Sequence, residues 1–394
     1  MSNQLINLNP ELKQLRDEGY DIEIHGGWLI IHHVPYVNVR KEVKIGKLAC
    51  PLDLGGNKVQ KPSTHVMSFS GEYPCHKDGQ MITAIEHTSL NQSLKDFVLK
   101  YSFSNKPGSG YNDFYHKVTT YINIISSPAK ALDKSVTAMP FNAIREDENS
   151  VFQYVETNSS RCNISHITSK LENQKVGIIG LGGTGSYILD FIAKTSVAEI
   201  RIIDGDIFSQ HNAFRAPGAP SFEELDKQLM KVDYFGSIYS KMHKGIKSFP
   251  VYLNADNLKE LLDELDFVFI ALDKPSAKQY IFNYLLKRSI PFIDVGIGAN
   301  VNEGQITASL RTTSSFPEKN DHIFNRISLV EDDNNEYVTN IQIAELNAMN
   351  AILAVIRWKK YMGYYFCDDP EYNSTFNVDS NKIYNDEFHH LQVC

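Results

Sequence analysis

One stretch of the chain, residues 175–206, constrains its fold more than any other. It reads KVGIIGLGGTGSYILDFIAKTSVAEIRIIDGD and holds four glycines within six residues, namely Gly180, Gly182, Gly183 and Gly185. An apolar run precedes the glycines, an apolar pattern of helical spacing follows them, and a second apolar run ends at Asp204. The order strand, glycine turn, helix, strand and acid is typical of a nucleotide-binding βαβ unit.

The residue types of this stretch suit a bound phosphate. Glycines adopt positive φ angles and let the backbone approach a ligand closely. The start of the following helix offers free N–H groups and the positive end of the helix dipole. Asp204 at the end of the second strand is placed to accept hydrogen bonds from a ribose. At this point a dinucleotide oxidoreductase, an adenylating enzyme and a glycine turn without a ligand all remain open.

The residues after Asp204 predict a doubly wound α/β fold. Predicted strands at 249–253, 267–272 and 291–295 alternate with predicted helices at 221–241, 258–265 and 278–287. Such alternation indicates a mainly parallel, Rossmann-like sheet with helices on both faces. Ligands of these sheets bind at the carboxyl ends of the strands. Asp204 and Asp273 each follow a strand, so the sequence predicts that they share one cleft.

The pattern differs before and after this region. Residues 1–155 mix short strands with helices predicted at 93–102 and 113–125, which indicates a small α+β domain ahead of a nucleotide-binding domain at 156–394. The polar stretch at 312–336 is predicted to be an irregular loop. A core-packing helix is predicted over 341–361 from apolar residues at helical spacing, namely Ile343, Leu346, Met349, Leu353 and Ile356.

Composition excludes several classes of protein. The net charge is −8, which disfavours a nucleic-acid binder. There is neither a secretory signal nor a run of about 18 apolar residues, so we expect no membrane segment and a cytoplasmic location. The five cysteines are scattered without a CxxC pair. A disulfide framework and a structural zinc site with the usual ligand spacing are therefore not expected.

Polar residues that follow the glycine stretch are those that nucleotidyl transfer requires. They are Asp206, Asn212 and Arg215 in a loop, Lys231 on the next predicted helix, and Asp273 after a buried strand. Cations neutralise a triphosphate and its leaving pyrophosphate, while Asp273 can hold Mg²⁺ against phosphate oxygens. A substrate that supplies its own carboxylate then needs only positioning and electrostatic support from the protein.

From about Arg161 to Leu310 the chain resembles the ThiF/MoeB/HesA superfamily, which includes ubiquitin-activating enzymes. The elements of the family pattern occur in order: Arg161, GLGGTG at 180–185, Asp204-Gly-Asp206, Asn212, Arg215, Lys231, Asp273 and EGQIT at 303–307. The resemblance implies adenylation, dependent on ATP and Mg²⁺, of the C-terminal glycine of a ubiquitin-like or sulfur-carrier protein.

The same resemblance assigns roles to residues. It implies that Asp204 binds ribose, that Asn212, Arg215 and Lys231 contact phosphates, and that Asp273 binds Mg²⁺ or orients the reacting carboxylate. Arg161 would act in the site of a neighbouring subunit, so a homodimer is expected. The loop at 312–336 would be the crossover loop that guides the tail of the ubiquitin-like partner.

The sequence also departs from the family pattern. The zinc-binding CxxC pairs of many relatives are absent, and the familiar NxxRQ reads NAFRAP. Relatives that transfer the acyl group to their own thiol usually keep a cysteine near the crossover loop, but none lies between Cys162 and Cys367. Cys367 is the nearest candidate for such a thioester and Cys75 the second. The alternative, a buried apolar cysteine at 367, stays open.

The N-terminal extension and the whole chain keep further alternatives. The extension joined to this core resembles bacterial proteins found with ubiquitin-like modification genes. We expect it to dock a partner, of which a conjugating-enzyme-like protein is one candidate. For the whole chain, a non-catalytic scaffold that binds ATP or a partner and an enzyme that adenylates a small or nucleic-acid carboxylate remain alternatives to ubiquitin-like activation.

Overall fold

The computed structural model of the protein describes residues 2–146, 150–327, 329 and 341–388. Its contacts divide the chain into two compact units, residues 1–148 with 154–161 and residues 149–153 with 162–394. Each unit has its own hydrophobic core. No helix in the described part of the chain is both long and apolar enough to cross a membrane.

The first unit is an antiparallel sheet with helices. Its strands are β1 (Ile22–His25), β2 (Trp28–Val37), β3 (Val43–Pro51), β4 (Leu54–Gly55), β5 (Lys58–Val59), β6 (Val66–Ser70), β7 (Glu86–Leu94) and β8 (Phe97–Ser104). Its helices are α1 (Ser2–Leu8), α2 (Pro10–Asp17), α3 (Phe114–Leu132) and α4 (Asn158–Arg161), with a 3₁₀ helix at Thr83–Ile85. The main sheet has the order β1-β2-β3-β6-β8-β7. The predicted α+β character of this segment is confirmed.

One predicted helix of this unit is wrong. Residues 93–102 form the end of β7, a tight turn and most of β8, in which Leu94 pairs with Phe97. Large apolar residues recur here at every second position from Phe97 to Phe103, which is the period of a strand. The helix predicted at 113–125 is present as α3. Asp113 caps it by accepting a hydrogen bond from the amide of His116 at 2.7 Å.

The second unit carries the predicted doubly wound sheet. Its strands are β9 (Lys175–Ile179), β10 (Glu199–Ile203), β11 (Ile246–Phe249), β12 (Phe267–Ile270), β13 (Phe292–Asn302), β14 (Gln305–Ser315), β15 (Glu371–Asn377) and β16 (Lys382–Phe388). Its helices are α5 (Ser165–Thr168), α6 (Gly183–Ile192), α7 (Gln210–Ala213), α8 (Phe222–Asp226), α9 (Lys231–Tyr239), α10 (Leu258–Leu262), α11 (Pro275–Arg288), α12 (Ile323–Arg326) and α13 (Ala344–Tyr361), with a 3₁₀ helix at Ser169–Leu171.

The strand order of this sheet decides where a ligand can bind. The order is β11-β10-β9-β12-β13-β14-β15-β16. The first five strands in that order pair in parallel, and the last three are antiparallel additions. The chain order reverses between β9 and β12, which creates a crevice at their carboxyl ends. The predicted α/β class with a mainly parallel sheet is confirmed.

Several predicted elements have different bounds. The strand expected at 249–253 lies earlier, as β11, and the helix expected at 221–241 is two helices separated near Gln228, whose φ is 47°. The loop expected at 312–336 begins inside β14, where residues 312–315 are buried. Residues 316–327 contain a turn and α12, while 328 and 330–336 lie outside the described residues.

Helix α13 is present, but its buried face differs from the predicted stripe. Ile356 is 39% exposed, whereas Asn347, Asn350, Ala351 and Ala354 are buried. The helix packs against α6, β13 and β14. Small side chains permit this close approach, and the two amides form hydrogen bonds to their surroundings. Polar residues therefore replace part of the apolar face that the sequence predicted.

Candidate functional site

Three glycines of the turn between β9 and α6 are required by the backbone conformation and packing of the protein, without any ligand. Gly180 has a φ of 86°, which favours glycine. A Cβ on Gly185 would lie 1.8 Å from the carbonyl oxygen of Gly180, and one on Gly183 would lie 2.0 Å from Nδ2 of Asn347. A Cβ on Gly182 would meet no heavy atom within 4 Å. The turn is therefore tightly packed everywhere except at Gly182, which lines an open cleft.

Asn347 of α13 fixes the beginning of α6, a role that the sequence did not reveal. Its Oδ1 accepts a hydrogen bond from the Thr184 hydroxyl at 2.9 Å. Its Nδ2 donates to the carbonyl oxygen of Arg215 at 3.3 Å. The first N–H groups of a helix have no partner within the helix, so α6 presents donors to the cleft. The buried side-chain amide of Asn347 thus links the glycine turn to the loop that carries Arg215.

Asp204 holds the glycine turn in place through two backbone amides. Its Oδ2 accepts from the amide of Leu181 at 2.6 Å and its Oδ1 accepts from the amide of Asp206 at 2.8 Å. Burial raises the pKa of Asp204, although Lys231 and these amides favour the charged form. Each carboxylate oxygen has a second lone pair, which leaves Asp204 able to accept a ribose hydroxyl as well.

Lys231 lies between the two acids of this loop. Its Nζ is 2.6 Å from Oδ2 of Asp206 and 3.7 Å from Oδ2 of Asp204. The break between α8 and α9 puts Lys231 at the first position of α9, where its amide also donates to the carbonyl oxygen of Asp206. Burial opposes ionisation of Asp206, but hydrogen bonds from Lys231 and Tyr252 outweigh it and lower the pKa of Asp206.

Two buried donors in the segment that follows Asp204 lack an acceptor. Nε of Arg215 and Nδ2 of Asn212 are buried without a hydrogen-bond partner among the described residues. Oδ1 of Asn212 accepts from the amide of Ser209, which fixes the orientation of its amide group. A buried donor without an acceptor costs about 1–3 kcal/mol, so a ligand oxygen here is favoured. These orphaned donors suit the phosphate groups of ATP.

The cleft lies at the carboxyl ends of β9 and β12, where the chain order reverses, and has a volume of about 390 Å³. Its lining residues are Gly180, Gly182, Gly183, Thr184, Asp204, Asp206, Arg215, Lys231, Ala271, Leu272, Asp273, Lys278, Val295, Gly296, Ile297, Gln342 and Asn347. Asp273 is exposed on the loop between β12 and α11. No cluster of three or more potential metal ligands lies within residues 2–146, 150–327, 329 and 341–388. A single carboxylate such as Asp273 suits Mg²⁺, which phosphate oxygens and water help to bind.

Three residues from the sequence predictions lie elsewhere. Arg161 ends α4 and lines a separate cavity within the first unit. Cys75 is fully buried in the first unit, and burial raises its pKa. Cys367 lines a cavity of about 200 Å³ with residues that include Phe316 and Tyr372. Phe316 directly follows β14, whose last residue pairs with the first residue of β13. Cys367 therefore lies near the amino ends of the parallel strands, whereas the cleft lies at their carboxyl ends.

The sequence missed Thr184, Lys278, Gln342 and Asn347 among the cleft residues. Thr184 lies within the glycine motif itself, but no local motif indicates the other three, because α11 and the segment that begins α13 reach the cleft only through packing on the sheet. Lys278 follows Asp273 by five positions, within the first turns of α11. That proximity is the one signal that could have suggested it. The EGQIT motif at 303–307 contributes none of these lining residues, because it lies at the hairpin between β13 and β14.

Comparison with known proteins shows how far similar sequences extend. Residues 158–390 match the ThiF family, and residues 10–157 match a domain of unknown function, DUF6791. The chain is 26% identical over 141 residues to the adenylyltransferase and sulfurtransferase UBA4 of Saccharomyces cerevisiae strain RM11-1a, which covers 35% of this chain and 31% of that protein. UBA4 of Eremothecium gossypii is 28% identical over 115 residues, covering 28% of this chain and 25% of that protein. The chain thus spans at most about a third of these curated relatives.

Similar solved structures include Escherichia coli MccB. With MccA-N7isoASN, MccB has a TM-score of 0.48 and 21% identity, covering 60% of this chain and 73% of that chain. With ATP, it has a TM-score of 0.45 and 21% identity, covering 59% and 69%. The match over residues 158–390 takes in more than half of the 394 residues and the whole described cleft. The chain belongs to the ThiF family.

Proposed function

We propose that the chain uses ATP to adenylate the C-terminal carboxylate of a carrier protein or peptide, with a ubiquitin-like protein that ends in glycine as the preferred substrate. One observation carries the proposal: Arg215, Lys231 and Asp273 line the same cleft as the open glycine turn. A nicotinamide enzyme has no need for cations and an exposed acid beside a phosphate turn. A reaction that releases pyrophosphate needs them all.

The chemistry assigns a task to each side of the cleft. A carboxylate oxygen of the substrate attacks the α-phosphorus of ATP, the bond to the β-phosphate oxygen breaks, and pyrophosphate leaves with its electron pair. The N–H groups of α6 and the orphaned donors of Arg215 and Asn212 bind phosphate oxygens. Asp204 binds the ribose. No general base is required, because the nucleophile is already ionised near neutral pH.

Lys231 needs a change of partner in this scheme. Its Nζ contacts Asp206 at 2.6 Å, and phosphate oxygens compete with that carboxylate for the same charge. Mg²⁺ held by Asp273 supplies electrostatic stabilisation across the phosphates when it is bound. The ion pair keeps Lys231 next to the place where the triphosphate charge develops.

The main experiment is ATP–pyrophosphate exchange with a ubiquitin-like protein that ends in glycine. We expect exchange in the wild type and a loss of roughly 100-fold or more in Asp273→Ala, since one preorganised electrostatic group contributes about 2.7–4 kcal/mol. Asp256→Ala is the matched control, because Asp256 is exposed outside the cleft. Exchange that survives Asp273→Ala would refute the role of Asp273. ATP binding without exchange would favour a scaffold, and exchange with a small carboxylate alone would favour the other enzymatic alternative.

Two features suggest what happens after adenylation. UBA4 carries sulfurtransferase in its name, and Cys367 offers a thiol for transfer within this chain. Burial raises the pKa of Cys367, while Lys360 opposes that shift. To form a thioester at Cys367 of the same chain, the adenylated carboxylate or the thiol would have to move from one end of the parallel strands to the other. Intact mass after incubation with ATP, Mg²⁺ and the ubiquitin-like protein tests this, because a thioester adduct is lost with dithiothreitol.

The partners follow from the same proposal. A homodimer would let Arg161 of one chain reach the cleft of another, which the family resemblance implies. The first unit would act as a docking domain, because it has its own sheet and core and its described cysteines are buried. A conjugating-enzyme-like protein is the candidate for that docking. Sedimentation of the full chain with and without ATP measures the oligomeric state.

A further inference from the structure

A second cavity adjoins the nucleotide cleft in the same unit. Its volume is about 370 Å³, and it shares four lining residues with the cleft, namely Asp273, Lys278, Gly296 and Ile297. The rest of its lining is Pro275, Gly298, Ser309, Arg311, Ile327 and Thr375. Neither the glycine turn nor Asp204 reaches this cavity. The shared wall is therefore the place where a second substrate would meet the nucleotide.

Two cations beside the shared wall contact one buried acid. Nζ of Lys278 is 2.7 Å from Oδ1 of Asp294, and Nη2 of Arg311 is 2.5 Å from Oδ2 of the same residue. Asp294 is fully buried and Lys278 is 6% exposed. In the described part of the chain, neither cation has another carboxylate within ion-pair distance. Within ion-pair distance the two cations thus share a single carboxylate, while the carboxylate of Asp273 on the same wall lies farther from both.

The residues around Lys278 and Arg311 leave room for both cations and help to position them. Lys278 lies near the beginning of α11, whose amino end adds the positive end of its dipole. A Cβ on Gly296 would lie 2.8 Å from Nη2 of Arg311, so glycine leaves room for the guanidinium group above β13. Nη1 of Arg311 also donates to the Thr313 hydroxyl at 2.6 Å. Both positive groups are therefore fixed in place before any ligand arrives.

We propose that Lys278, supported by Arg311 through Asp294, binds the terminal carboxylate of the acyl substrate at this shared wall. The inference rests on the proposed function and names the residues that recognise its second substrate. Oδ1 of Asp294 accepts no hydrogen bond among the described residues, so Nζ of Lys278 forms an ion pair there and keeps its N–H donors for a ligand. A carboxylate bound there faces the nucleotide cleft from the adjoining cavity. Lys278 then selects substrates that end in a free carboxylate over substrates that end in an amide.

The experiment measures binding without catalysis. The probe is a short synthetic peptide that ends in Gly-Gly, with a free carboxylate or with a carboxamide, titrated into the full chain loaded with the non-hydrolysable α,β-methylene analogue of ATP. We expect the wild type to prefer the carboxylate by about ten- to a hundredfold, because a hydrogen bond to a charged group contributes that much. Lys278→Met should lose the preference, and Lys278→Arg should keep most of it.

Matched measurements separate this role from its alternatives. Lys287→Met, an exposed position on the same helix, should behave as the wild type. The nucleotide analogue is kept saturating for each variant, so a weaker affinity of Lys278→Met for the nucleotide does not change the ratio of the two peptide affinities. Equal binding of the two peptides by the wild type, or a preference that persists in Lys278→Met, overturns the inference. Peptide preference without pyrophosphate exchange would contradict the proposed reaction and leave the carboxylate site supported.

Discussion

Replacing Gly182 with alanine asks directly whether a phosphate rests on the glycine turn. Gly182 is the residue before α6 and has a φ of −69°, which alanine also adopts. Its added methyl group would meet no protein atom within 4 Å. The same methyl group would stand between a bound phosphate and the backbone N–H groups. Gly182→Ala should therefore weaken nucleotide binding while the protein stays folded.

The structure sets the magnitudes of both effects. Loss of the N-cap preference costs roughly 0.5–1 kcal/mol, and the reduced freedom of the unfolded chain returns about 0.4–1 kcal/mol. The free energy of unfolding should thus change by less than about 1 kcal/mol, or a few degrees in Tm. A lost charge-assisted hydrogen bond to phosphate weakens binding by about 1.5–3 kcal/mol, which is at least a tenfold loss of affinity.

Gly185→Ala is the contrasting variant. Its Cβ would lie 1.8 Å from the carbonyl oxygen of Gly180, a clash with backbone that no side-chain movement relieves. We expect Gly185→Ala to unfold at a clearly lower temperature. Calorimetric titration with ATP and thermal unfolding of the two variants provide the measurements. Wild-type affinity for ATP in folded Gly182→Ala would refute the assignment of this turn as a phosphate site.

Two further predictions concern stability. Asp204→Asn leaves one of the amides of Leu181 and Asp206 without an acceptor, so chemical denaturation should show a free energy of unfolding lower by about 1–3 kcal/mol. An unchanged free energy of unfolding would contradict the proposal that Asp204 holds the glycine turn in place. His243 is fully buried, and burial lowers its pKa even though the hydrogen bond from its Nε2 to the carbonyl oxygen of Val197 opposes that shift. The unfolded chain takes up a proton near pH 6.5 that the folded state refuses, so stability should fall as the pH drops from about 6.5 through the folded pKa. A denaturation midpoint that stays constant between pH 7 and pH 5 would argue against this linkage.

The local sequence predicted the parts of the fold that depend on neighbours along the chain. The βαβ unit, the strand that ends before Asp273 and the helix over 341–361 all follow from apolar periods and turn residues. Residues 93–102 show where this reasoning failed. The helix predicted there conflicts with an apolar period of two, and pairing with β6 and β7 makes the segment a strand. The irregular loop predicted from residue 312 begins later, because the small polar residues at 312–315 belong to a buried part of β14.

The candidate site divides in the same way. Motif spacing indicated Gly182, Asp206, Arg215, Lys231 and Asp273, and the fold places all five around one cleft. Spacing could not separate residues that shape the turn from those left open to a ligand. Asn347 explains Gly183, and the carbonyl oxygen of Gly180 explains Gly185. Both reasons depend on atoms that no linear motif contains.

The sequence by itself determined that the chain has a nucleotide-type βαβ unit, because four glycines between two apolar strands leave few other ways to turn. It also determined which cations and acids follow that unit. Only the tertiary structure decided that Lys278, Asp294 and Arg311 form one cluster beside the cleft. These residues come from three elements that meet only when the sheet forms. Likewise, only the folded sheet puts Cys367 near the amino ends of the parallel strands, away from Asp273 at the carboxyl end of β12.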